Sequence, residues 1–100
     1  MEGSQQQPEE AHVSSRTLEN IAGNHSEDSE VRIMAIVRLD PISSRSILET
    51  IAGNACGDHN VRMAAIRRLD GNFSKRVLKG IAGNSSENSE ARVLAVSKLS

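Results

Sequence analysis

Arginine recurs at a spacing of thirty residues, at Arg32, Arg62 and Arg92. Each is followed by Ala at the third position and Leu at the seventh: Ala35 and Leu39, Ala65 and Leu69, Ala95 and Leu99. At about 100° per residue on a helix, Arg32, Ala35, Ile36 and Leu39 share one side, so the guanidinium rides on the apolar face. An unpaired charge there would be costly. Acceptors must therefore lie close, and Asp28 or the terminal carbonyls of a neighbouring helix are the candidates. Asp58 stands in the same place before Arg62, whereas Asn88 replaces it before Arg92. The chemistry of this set is charge pairing in an interior, which is a structural role.

A second set lies on the opposite side of the same helices. Arg38, Arg68 and Lys98 recur at thirty, with Arg67 beside them, and Met34, Ala64 and Leu94 recur next to Val37. An apolar centre rimmed by positive charge suits an acidic amphipathic segment of a partner protein. The plainer alternative is that Met34 and Leu94 pack on adjacent helices while the arginines are solvated.

Other reactive side chains form no pattern. His12, His25 and His59 share no register, so they give no recurring ligand set for a metal. Cys56 is the only cysteine, which excludes an internal disulfide and a cysteine-rich zinc site. It occupies the position of Ser26 and Ser86, with no recurring His or Asp to activate it. No Gly-rich phosphate loop follows a strand. The expectation is a protein without catalysis, metal or cofactor. Nucleic acid is the rival ligand, through Arg67, Arg68, Lys75, Arg76 and Lys79. The net charge of −1, the single aromatic Phe73, and the acids Glu27, Asp28, Glu30, Glu87 and Glu90 make such binding weak and salt-sensitive.

The elements that carry these residues follow from a longer recurrence. Ile-Ala-Gly-Asn occurs at 21–24, 51–54 and 81–84, and a fixed period in this range signals a repeat array. Leu18, Ile21 and Ala22 return as Leu48, Ile51, Ala52 and as Leu78, Ile81, Ala82, a helical stripe. First helices are predicted over about 15–22, 45–52 and 75–82, with Ser14, Ser44 and Ser74 as N-caps. Gly23, Gly53 and Gly83 are read as stops in the left-handed conformation. Second helices are predicted over about 30–39, 60–69 and 90–99, and Asp40-Pro41 and Asp70-Gly71 as the turns between units.

Residues 1–12 are polar and acidic, and are expected to be a disordered tail. No apolar run resembles a secretory signal or reaches the roughly 20 residues of a membrane span, so a cytoplasmic location is expected. Lys and Arg stand three against five Asp and Glu over residues 11–40, but five against two over 71–100. The array thus runs from acidic to basic.

The pattern Asp28-x-x-Val31-Arg32-x-x-Ala35-x-x-x-Leu39, matched most fully by Asp58 to Leu69, resembles the short HEAT-like repeats found in phycobilin lyases and scaffold proteins. The resemblance spans about residues 13–100. It implies an all-α, right-handed α-solenoid of three helix-hairpin repeats, about 13–40, 41–70 and 71–100. It also implies a ladder between repeats built from Asp28, Arg32, Asp58, Arg62 and Arg92, with the third Asp missing. The row of second helices would line the concave surface, and the implied role is a protein-interaction scaffold. Iron-binding enzymes of this kind use His-Glu pairs, and this chain has none. Terminal units of such arrays need polar outer faces. Val93, Val96 and Leu99 are expected to be partly exposed, pointing to self-association or to a longer array.

Overall fold

The computed structural model describes residues 13–100, so the tail expected over 1–12 lies outside the described residues. Among those described the protein is all-helical: α1 (Ser15–Gly23), α2 (Ser29–Arg38), α3 (Arg45–Ala52), α4 (His59–Arg68), α5 (Lys75–Gly83) and α6 (Ser89–Leu99). The helices form three successive pairs, α1 with α2, α3 with α4, and α5 with α6. The second helices touch in the order α2, α4, α6, and α1 lies against α3. Among the described residues no helix is long and apolar enough to cross a membrane.

The turns are set by side-chain oxygens. Asn24, Asn54 and Asn84 each accept, through Oδ1, the amide two residues on, from Ser26, Cys56 and Ser86 at 2.9, 3.2 and 3.0 Å. These Asx turns redirect the chain after each first helix. Gly53 ends α3 in right-handed helical geometry rather than in the left-handed conformation expected of it. The asparagine of the Gly-Asn pair therefore does the redirecting. Asp40 works the same way between pairs, taking the amides of Ile42 and Ser43 at 3.0 and 2.8 Å. Asp70 takes those of Asn72 and Phe73, both at 2.9 Å. The next residue, Gly71, backs onto the Lys98 carbonyl of α6, where any Cβ would collide with backbone.

Ser14 caps α1, accepting from the Thr17 amide at 3.1 Å, but Ser44 and Ser74 make no such cap. Both are buried instead. Ser44 Oγ donates to Glu19 at 2.8 Å, tying the second pair back to α1. The corresponding partner of Ser74 would be Glu49, but Glu49 is turned to Arg45 at 3.8 Å. Ser74 Oγ is buried without a partner among the described residues.

The core is aliphatic. Ile36, Leu39, Leu48, Ile66, Leu69 and Leu78 are its largest fully buried side chains, each worth about 1.5–3 kcal/mol relative to exposure. The central helix α4 is the most enclosed, with residues from Val61 to Ile66 all buried. Among the described residues it alone of the second helices has a neighbouring second helix on both sides.

Candidate interaction surface and its buried arginines

The three motif arginines share one geometry. Arg32, Arg62 and Arg92 each direct Nε onto the carbonyl ten residues earlier, at Ala22, Ala52 and Ala82, at 2.9, 2.8 and 3.1 Å. Those carbonyls lie in the last turn of the first helices, where no intrahelical donor reaches them. The guanidinium thus satisfies the end of its own pair's first helix.

The remaining donors differ from pair to pair. Arg62 forms a buried ion pair with Glu87, in the loop before α6. Glu87 was not expected as a partner, because it stands twenty-five residues on in the neighbouring unit. Its counterparts are Glu27 and Gly57, so the residue in this position facing Arg32 carries no carboxylate. Among the described residues Arg32 makes no ion pair, although it is buried. Its guanidinium borders a cavity of about 60 Å³ with Gly57, Asp58 and Val61.

The aspartates of the expected ladder do other work. Asp58 caps α4, taking the Val61 amide at 3.1 Å, and receives the Ser29 hydroxyl of the first pair at 2.6 Å. The Ser29 hydrogen bond, then that of Val61, holds its carboxyl below the ordinary value, with the Arg32 charge a lesser cause. Asp28 makes no side-chain cap at α2. Hydrogen bonding from Arg62 likewise lowers Glu87, against the opposing effect of burial. Asp40 is lowered chiefly by the Ser43 and Ile42 amides.

The outer row of the second helices is less uniform than its spacing suggests. Met34, Val37, Arg38 and Arg67 are exposed, but Ala64 is buried and Leu94 half-buried. Ala64 departs from its expected outward position because α2 covers that side of α4, whereas no described helix covers Met34. Two of the cations are tied down: Arg68 Nε donates to the Leu39 carbonyl at 2.7 Å, and Lys98 Nζ to the Arg67 carbonyl at 2.7 Å. Each thereby links its helix to the preceding second helix. Arg38 folds back on its own helix, donating to the Met34 carbonyl at 3.2 Å.

Between the second helices run open grooves. One of about 270 Å³ is lined by Ile33, Val37, Ala64, Arg67 and Arg68. The next, about 380 Å³, is shared by Ile33, Met63, Arg67 and the hydrogen-bonded pair His59 and Glu90, 2.7 Å apart. A third, about 370 Å³, lies between Met63 and Arg67 on α4 and Val93 and Leu94 on α6. Among the described residues no group of His, Cys, Asp and Glu could hold a metal ion. No family model matches the chain, nor does a curated protein or a solved structure.

Proposed function

We propose that the chain is a right-handed HEAT-like α-solenoid that serves as a protein-interaction scaffold, taking an acidic amphipathic segment along its second helices. The observation that carries this reading is Val37, exposed in the groove it shares with Ile33, Ala64, Arg67 and Arg68. An apolar side chain on the segment would enter at Val37, and its carboxylates would meet Arg67 and Arg38 on the rim. Arg68 supports the groove, since its hydrogen bond to Leu39 fixes the guanidinium before any partner arrives. Pre-positioned charge lowers the ordering cost of binding.

Within this row Arg38 and Arg67 are exposed, Arg38 held only to its own helix, while Arg68 and Lys98 are hydrogen-bonded to the preceding second helix. The test is capture from source-cell lysate with the wild type beside Arg38→Glu/Arg67→Glu, identified by mass spectrometry. Loss of the same proteins from the variant supports the reading. Identical captured sets would overturn it.

A further inference from the structure

The outer ends of the three helix pairs differ in one systematic way. Ile36 and Ile66 are fully buried, but Val96, at the same place in the third pair, is 52% exposed. Val93 is likewise exposed where Met63 is buried. At the other end the order is reversed. Val31 is 39% exposed, whereas Val61 and Ala91 are 1% and 0%, and Met34 is exposed where Ala64 is buried. Among the described residues the α6 end and the α2 end are therefore the two unmatched halves of the contact that joins consecutive pairs. Inside the chain that contact sets Ile33 and Val37 beside Ala64, and Met63 beside Leu94.

The polar groups have the same two halves. Between pairs, Arg62 takes Glu87 and Ser29 takes Asp58. Carrying each spacing past the third pair sets Arg92 against Glu27, and Ser89 against Asp28, of a second copy. Glu27 and Asp28 are exposed, and among the described residues Arg92 makes no ion pair. Charge agrees with this direction: the segment 71–100 has five basic against two acidic residues, and 11–40 has three against five.

We infer that two copies of this chain stack head to tail, with Val93 and Val96 of one covering Val31 and Met34 of the next, and Arg92 pairing with Glu27. The joint repeats the internal one and leaves an unmatched end on each side. It is a heterologous contact that grows with concentration instead of closing. This uses the ends of the array and does not depend on the partner groove proposed above.

Sedimentation equilibrium at low salt tests it. Wild type forms species beyond the dimer as concentration rises toward about 1 mM, the weak end of specific association. Met34→Glu and Val96→Glu change exposed side chains and keep their helical circular dichroism, and each alone is monomeric. Mixed, they form a 1:1 dimer that grows no further, because one intact head meets one intact tail. Glu27→Lys, in an exposed loop, weakens wild-type association roughly tenfold, the loss of one moderate contact. A wild type that stays monomeric, a mixture that stays monomeric, or Met34→Glu still dimerising alone would each overturn the inference.

Discussion

Arg62 on α4 and Glu87 before α6 form an ion pair across two helix pairs, and both side chains are buried. The same guanidinium also satisfies the Ala52 carbonyl of its own pair. One side chain thus joins the end of α3 to the entry of α6. Its charge is tolerated in the interior because both acceptors are in place.

Removing one partner of that pair leaves an uncompensated buried charge. Glu87→Ala is expected to cost about 3 kcal/mol, and Arg62→Met about 3–5 kcal/mol because it also strands the Ala52 carbonyl. In a double-mutant cycle by urea unfolding, the combined loss should be smaller than the sum of the single losses. Additive losses would show that the two groups do not interact.

Acid should weaken the fold through the same carboxylate. The Arg62 hydrogen bond holds Glu87 below its ordinary value in the folded state. The unfolded chain therefore binds that proton more readily. The stabilisation is fully present above the unfolded glutamate value of about 4.3 and is lost as pH falls through the folded value. The melting temperature should be flat from pH 7 to about 5 and drop below that. Glu87→Gln should start lower and drop less. Parallel curves for the two proteins would contradict this assignment.

Gly57 leaves Arg32 without the carboxylate that Glu87 gives Arg62. Its Cβ position meets only Asn54, at 3.3 Å or more. Gly57→Glu is expected to stabilise the fold by about 1 kcal/mol, raising the melting temperature by roughly 4–8 °C. An unchanged or lower value would mean that Asp58 already answers the Arg32 charge.

Ser44 and Ser74 are equivalent in sequence but not in bonding. Ser44→Ala removes the hydrogen bond to Glu19 and should cost about 1 kcal/mol. Ser74→Ala removes a buried hydroxyl that has no partner among the described residues and should be neutral or stabilising. Thermal melts of the two variants compare them directly, and equal losses would contradict the difference.

Helix positions were legible in the sequence because the apolar stripe of Leu18, Ile21 and Ala22 recurs three times and each pair is local. For the arginines the sequence shows only that a core-facing Arg32 demands an acceptor, leaving Asp28 and the end carbonyls of a first helix as alternatives; the Ala22 carbonyl takes its Nε. Glu87 was not, because its contact crosses between pairs and periodicity within one helix carries no information about the register of the next. The thirty-residue recurrence misled in one respect. It places Met34, Ala64 and Leu94 in equivalent positions, but exposure depends on what covers each: α2 lies over Ala64, and no described helix lies over Met34. The Gly-Asn pairs turn on the asparagine and not on the glycine expected from sequence: both residue types favour turns, and it is Asn Oδ1 that accepts the amide two residues on.

The central claim is that a partner segment lies along the second helices, entering beside Val37. Methyl-labelled protein titrated with a partner captured from lysate tests it by NMR. The claim predicts that the Val37 and Ala64 methyl signals shift while Ile42, exposed in the turn after α2, stays in place. Shifts at Ile42 with Val37 and Ala64 unmoved would contradict it.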